Sequence, residues 1–397
     1  MAIAVKNNTV YAVEIETTEG EYLAPQADTS YVQVLADGAE LTPAKELVER
    51  NIFNGSIGKS TPRTGTKSVT GSMPVEMRAA FTEGAAPEYD KLLRSALGSR
   101  RQASTTTVND GDSGGTHTTT RAYLPNAAAN KYSVGDSVTI KRAGAYHTSP
   151  VTAVSHTSGD VYIDILLPMA SAFVDGDVIA ALTTYTVANS GHPSLSISKY
   201  LEEAILEQAT GCRVSSLALE NFTTGQLASF NFGFEGLSFD RSITAQPHTP
   251  NFSDALPPII LNACVYQDGV DLQINSFDFS LENTLGFATS TCSSNGRISG
   301  RASERVISGT FNPYKYDDSI DQFTKFVANT EFSLFGSAHV PTSTAGEYNQ
   351  VVAFYMPACI ATELSESDQD GLLQEEVSFS ASRGQSGESD ELYITFS

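Results

Sequence analysis

The sequence is short of cysteine, of cations and of long apolar runs, and each shortage argues against a class of function. Its four cysteines (Cys212, Cys264, Cys292 and Cys359) contain no CxxC pair, and the histidines (His117, His147, His156, His192, His248 and His339) are scattered. Neither a disulfide framework nor a metal-ligand spacing is present, so free thiols in a reducing compartment are expected. Lysine and arginine number 24 against 46 aspartates and glutamates, a formal net charge of -22. Gripping duplex DNA requires cations that displace counterions, which argues against that role. The same charge suits a protein that works near nucleic acid without sticking to it, although acidity also simply favours solubility. No stretch approaches the ~20 apolar residues of a membrane span. The start, Met1-Ala2-Ile3-Ala4-Val5-Lys6, lacks the basic region and apolar core of a signal peptide. The expectation is a product made and used in the cytosol, or released by lysis, with no membrane partner.

What the sequence does contain is one β plan written twice. Tyr31-Val32-Gln33-Val34-Leu35 corresponds to Asp271-Leu272-Gln273-Ile274, and Val69-Thr70-Gly71-Ser72-Met73 to Ile307-Ser308-Gly309-Thr310-Phe311. A short helix follows each, over Pro87 to Leu93 and over Ser319 to Phe326. Cys212, Gly225 and Ser229 to Phe232 then match Cys359, Gly371 and Glu376 to Phe379. Constant order with weak identity marks an old tandem duplication. Cys212 and Cys359 are expected to fill equivalent core positions.

Strand signals dominate. Phe230, Phe232 and Phe234 alternate with Asn231, Gly233 and Glu235, and Phe277, Phe279 and Leu281 with Asp278, Ser280 and Glu282. A period of two buries one face and wets the other. Thr42-Pro43 reads as the start of a helix over Ala44 to Arg50. Pro87 opens a helix closed by Gly98, Ser198 caps one over Lys199 to Ala209, and Asp317, Asp318 or Ser319 caps the last. The fold class expected is mainly β: two tandem sandwiches, each with a flanking helix. Residues 1–103 and 193–250 form the first repeat and 251–397 the second. Between the parts of the first lies an inserted small β-barrel (SH3-, OB- or Ig-like) at 104–192. Its opening stretch, Ser104 to Thr120, is polar and low in complexity and reads as a flexible linker.

Three local strings imitate active sites. Gly111-Asp112-Ser113-Gly114-Gly115 matches the nucleophile loop of trypsin-like proteases, but no histidine precedes Ser113 to act as general base. Asn109-Asp110-Gly111-Asp112 lacks the closing acidic residue of a calcium loop. Gly55-Ser56-Ile57-Gly58-Lys59-Ser60 has two residues between its glycines where a phosphate loop needs four. No enzyme and no cofactor are expected. Arg50 to Thr66 and its partner Ser293 to Arg301 are glycine-rich polar loops suited to contacts with a neighbouring molecule. Within and beside them, Asn54, Gly55, Lys59, Arg63, Lys67, Asn295, Gly296 and Arg301 are the contact candidates. Lys59, Arg63 and Lys67 would donate salt bridges to an acidic neighbour; a merely solvated loop is the plain alternative.

The strings RNIFNGSIGKSTPRTGTKSVTGSM, PEYDKLLRSALG, GCRVSSLALENFTTGQLASFNFGFEG and INSFDFSLENTL, taken in order, resemble the tail tube (major tail) proteins of long, non-contractile-tailed bacteriophages. The resemblance covers most of the chain outside the insert. It implies a structural virion protein whose β-sandwiches form rings with a continuous inner barrel. The rings stack into a tube assembled around a tape-measure protein in the host cytoplasm, bounded by tail tip and terminator proteins, and used for DNA ejection. Most such tubes use six single-fold subunits per ring; a duplicated fold implies three, with a combined formal charge of three times -22, or -66. On alternation, Glu220, Glu235, Asp278, Glu282 and Glu376 are the candidates to line the lumen. The competing reading is a receptor- or carbohydrate-binding tail protein acting through the insert, which would place exposed aromatics there.

Overall fold

The computed structural model describes residues 8–53, 55, 57–112, 114–202, 204–261, 263–316, 320–341, 348–384 and 390–397. It is mainly β. The first repeat opens with β1 (Thr9–Ile15), β2 (Tyr31–Val32) and the hairpin of β3 (Glu40–Val48) and β4 (Arg63–Glu76), then α1 (Asp90–Leu97) and β5 (Gly98–Ala103). A separate sheet follows, from β6 (Thr106–Thr107), β7 (Arg121–Tyr123), β8 (Ser137–Arg142), β9 (Ala145–Thr157), β10 (Asp160–Ile165) and β11 (Val178–Ile179). The first repeat resumes with β12 (Leu182–Val187), β13 (Leu195–Leu201), β14 (Ile205–Thr223), β15 (Ser229–Gly236) and β16 (Ser238–Ile243). The second repeat runs through β17 (Cys264–Gln267), β18 (Val270–Leu272), β19 (Ile274–Thr289), β20 (Arg297–Pro313) and α2 (Gln322–Ala328). It ends with β21 (Phe332–Pro341), β22 (Tyr348–Gln369), β23 (Leu372–Ala381) and β24 (Tyr393–Phe396).

Eight of these strands form one antiparallel layer in the order β3-β4-β15-β14-β19-β20-β23-β22. The repeats meet in its middle, where β14 pairs with β19 and Leu217 faces Leu281. They meet again behind it, where β12 pairs with β24. The apolar face of the layer packs against the helices and the remaining strands, and one core runs through both repeats. Phe222 of the first repeat lies 5.7 Å from Phe354 and 6.0 Å from Phe277 of the second, ring centre to ring centre.

The two repeats match in detail. Gly71 stands between Leu41 and Phe234, as Gly309 stands between Phe279 and Phe379. A Cβ on Gly71 would overlap the Glu40 carbonyl and the Phe234 ring; one on Gly309 would overlap the Asp278 carbonyl and the Phe379 ring. Both cysteines of the matched pair are fully buried, Cys212 opposite Leu195 and Cys359 opposite Phe332. The β14–β15 ladder slips between Val214 and Ser216, and the β22–β23 ladder slips between Ala361 and Glu363. Gly225 and Gly371 turn the two hairpins with φ of 81° and 83°, a conformation that costs glycine little.

Several local expectations are corrected. Thr42-Pro43 lies inside β3, not at a helix start, because pairing with β4 outweighs a local capping signal; Pro43 is tolerated on an edge strand. Lys199 to Ala209 is no helix but the end of β13, a turn with Glu202 at φ 51°, and the start of β14. Leu195, Ile197 and Tyr200 are buried here, and Leu201 faces Ile205. α1 ends at Gly98 as expected. α2 is capped by Asp321, which accepts from the Thr324 amide at 3.0 Å; Asp317 to Ser319 lie outside the described residues.

The stretch read as a linker is built into the insert. Thr106–Thr107 pairs with β11, Val108 is fully buried, and the Asn109 amide donates to the Tyr123 carbonyl at 3.2 Å, closing the small sheet on itself. β12, placed within the insert on sequence grounds, pairs with β5 and β24 of the large sheet. β5 and β12 thus form a paired stem through which the insert leaves and returns. An Arg101–Asp136 ion pair and a Thr139–Ser397 hydroxyl contact at 2.9 Å hold it against the main body.

Because Gly71 and Gly309 do the same task, Gly71→Ala and Gly309→Ala should each cost about 1–3 kcal/mol through overpacking. Urea unfolding of the two variants should give similar losses; a loss at one site alone would contradict the equivalence.

Candidate functional site: an acidic sheet face between two unpaired edges

The eight-stranded layer has one wet face, and the strand registers set out what lies on it. One row crosses Glu40, Ser72, Gly233, Ser216, Glu282 and Val306. Two further rows run through Glu76, Ser229 and Glu220, and through Asp278, Thr310, Ser378 and Glu363. Glu376 stands opposite Ser365. Between the first and last of these rows no lysine or arginine occurs on this face among the described residues. Within these rows carboxylates and small hydroxyls make up most of the polar surface, with no cation to attract a polyanion; Arg297 reaches the face beyond them, at Glu235.

All five residues expected on this face are on it, in different settings. Glu220, Asp278, Glu282 and Glu376 are exposed. Glu220 accepts from Asn231 Nδ2 at 3.1 Å, and Asp278 from the amide and hydroxyl of Thr310 at 3.1 and 2.5 Å. Glu235 is half-buried in an ion pair with Arg297 at 2.7 Å. Sequence reasoning missed Glu40, Glu76 and Glu363. Glu76 closes the alternation begun at Val69, so its signal was present; Glu40 was hidden by the helical reading of the residues after it.

The polar loops lie at the far end of this layer. Asn54 is outside the described residues. Gly55 is exposed, and Lys59 pairs with Glu49 at 3.5 Å on the surface. Arg63 opens β4 opposite Val48, and Lys67 faces Lys45. The β19–β20 turn folds back so that the Lys67 amide donates to the Asn295 carbonyl at 3.2 Å, and Gly296 rests against Thr66. Arg301 is exposed within β20, opposite Gly286. The two loops that were paired by sequence thus touch within one molecule. Phe53 and Ile57 beside them are fully exposed.

The edges of the layer are bare. β3 pairs only with β4, and the Glu363–Gln369 part of β22 pairs only with β23, among the described residues. Unpaired strand edges are templates for another chain.

Among the described residues no competing chemistry assembles elsewhere. Ser113 lies outside the described residues. His117 accepts the Tyr123 amide on Nδ1 at 3.1 Å, which leaves its proton on Nε2, facing Asp175 at 3.2 Å. Asp110, His117 and Asp175 are close enough to surround an ion. An ion on Nε2 would displace that proton and leave the ring with none, so a hydrogen-bonded strut is the better description. The Asp110 amide and then His117 hold the Asp175 carboxyl below the usual carboxylate range. The aromatics of the insert are also engaged: Tyr132 and Phe173 are buried, and Tyr123 and Tyr162 meet edge-on at 5.8 Å with Arg121 over the Tyr162 ring.

A mainly β chain with an acidic sheet face and open sheet edges has the surfaces of a structural assembly protein. The chain belongs to the phage tail tube protein family, whose profile matches residues 6–381. We found no curated protein that matches it. It is therefore a component of the virion tail, and no helix among its described residues is long and apolar enough to cross a membrane.

One ionic clip ties the repeats together behind this face. Glu19 accepts from the Gly300 amide at 2.7 Å and from Arg213 and Ser299 at 2.9 and 3.0 Å. Burial pushes its carboxyl up, but the Gly300 amide and Arg213 together outweigh that and hold it below the ordinary glutamate value. Its contribution is present above that value and is lost as pH falls through the lowered folded value. Thermal melts from pH 6 down to pH 3 should therefore show a smaller loss for Glu19→Gln than for the parent. Equal losses would show that Glu19 does not contribute.

Proposed function

We propose that three copies of this chain close a ring and that rings stack into the tail tube. In this reading the acidic sheet face lines the channel through which DNA is ejected into the host. The observation that carries the proposal is the eight-stranded layer with carboxylates on its wet face and a bare edge on either side. A closed ring of such layers satisfies every edge, which removes the aggregation hazard of the isolated sheet. DNA carries one charge per ~1.7 Å of axis. A wall of like charge repels it, so the genome slides without stalling. Because each chain holds two equivalent repeats, three chains supply six, and the interior is nearly six-fold while the inserts mark the exterior three times.

Contacts between rings fall to the loops around Gly55, Lys59, Arg63 and Arg301, where Phe53 and Ile57 offer apolar side chains with nothing to cover them in one copy. Assembly in the host cytoplasm around a tape-measure protein, ending at tip and terminator proteins, completes the reading. Nothing exposed on the insert favours a receptor- or carbohydrate-binding role, since its aromatics are buried or stacked.

Replacing Glu220, Asp278, Glu282 and Glu376 together with lysine should leave tubes that assemble but release their genome at least tenfold more slowly. Single-particle DNA-release kinetics would measure this. Assembled variant tails that eject at the parental rate would overturn the channel-lining role.

A further inference from the structure

If the chain is a ring-forming subunit, its two bare edges need a partner, and one molecule already contains the template. Inside the chain Ser216 faces Glu282, Leu217 faces Leu281, Ala218 faces Ser280 and Leu219 faces Phe279 across the β14–β19 seam. The match of Cys212 with Cys359, and of the two ladder slips, makes β22 the counterpart of β14, with Ser365 in the place of Ala218. The match of Gly71 with Gly309 makes β3 the counterpart of β19, with Thr42 in the place of Ser280. β14 and β19 are covered by one another. β22 and β3 offer the same edges with no strand upon them among the described residues.

A second observation concerns the end of the helix beside each seam. Asn283 of β19 donates to the Ala96 carbonyl at the C-terminal end of α1 at 3.0 Å. Arg305, opposite Asn283 on β20, donates to the Ala188 carbonyl at 3.0 Å and pairs with Glu391 at 2.9 Å. The first-repeat counterparts of Asn283 and Arg305 are Lys45 and Lys67, again opposite one another. Both lysines are exposed and have no side-chain partner among the described residues. The counterpart of the α1 end is the end of α2, capped by Asn329, with Glu331 exposed two residues on. On α1, Leu92 and Ala96 are fully buried, whereas the matching Phe323 and Val327 of α2 are 62% and 66% exposed. β3 offers Leu47 and Val48, both about half exposed, beside Lys45.

We propose that β22 of one copy pairs with β3 of a second copy in the register of the internal seam, Ser365 opposite Thr42 and Glu363 opposite Ala44. In the same contact Lys45 and Lys67 of the second copy close over the C-terminal end of α2. This rests on the ring reading above and names the contact that closes it. Cations are favoured at a helix C-terminus, and an exposed cationic contact is weakened by salt. The internal seam uses a neutral Asn283 at the matching place. Ring closure should therefore be salt-sensitive while the fold of one chain is not. Pro43, which lacks an N–H, costs this edge at most one donor.

The test uses the full chain with Cys264 and Cys292 replaced by serine, carrying Thr42→Cys and Ser365→Cys. Mild oxidation of assembled particles should yield disulfide-linked species of up to three chains. In a separate variant, Lys45→Glu with Lys67→Glu should raise the protein concentration needed for assembly at least tenfold, with an unchanged far-UV circular dichroism spectrum. If closed rings are imaged while the introduced thiols stay free, or the charge reversal leaves assembly unchanged, the proposed contact is wrong and the ring reading stands. If the parent protein forms no rings or tubes under any condition, the ring reading fails and takes this contact with it.

Discussion

The β14–β19 ladder is the interaction on which the rest of the structure depends. It converts two sandwiches into one continuous layer, so the wet face is shared and the core runs unbroken between the repeats. Without that ladder the chain would present four long edges where it now presents two. The Asn283 bonds to the Ala96 and Val214 carbonyls, the Glu19 clip and the Phe222–Phe277–Phe354 contacts all lie around the same junction. Main-chain pairing sets the register, and buried polar and aromatic groups hold it.

The charge of the chain has a spatial meaning once the registers are known. Several cations meet a carboxylate away from the wet face, as with Arg78 against Glu88 and Arg213 against Glu19. Between the outer rows of the wet face the charged residues are Glu and Asp alone, among the described residues. An excess of acid that composition alone assigns equally to solubility is thus concentrated, in part, on one surface. A surface of that kind agrees with a tail tube protein, which must lie close to DNA without binding it.

Much of this was legible in the sequence because a period of two survives tertiary context. The Phe230–Phe234 and Phe277–Leu281 alternations are buried as read, and the matched glycines and cysteines fall at equivalent places. Ser229 to Phe232, however, does not correspond to Glu376 to Phe379: the registers set Phe234 against Gly71 as Phe379 is set against Gly309, a shift of two residues. The failures share one cause. Thr42-Pro43 and Ser198 carry good local helix signals, but strands of a long hairpin obtain their hydrogen bonds from residues far along the chain, which a local signal cannot register. The low-complexity run from Ser104 was misread for a related reason: its order comes from the β6–β11 pairing, from burial of Val108 and from the Asp175 strut, all made with distant residues. For the acidic face, alternation identified five carboxylates but not Glu363, whose place depends on the slip in the β22–β23 ladder.

The central claim is that two equivalent repeats in one chain make a ring of three chains imitate a ring of six. An averaged end-on electron micrograph of tubes assembled from the purified protein tests it most directly. The expected result is a nearly six-fold inner wall with three inserts projecting at the periphery; six projecting inserts per ring, or protein that stays as discrete monomers at every concentration, would contradict it.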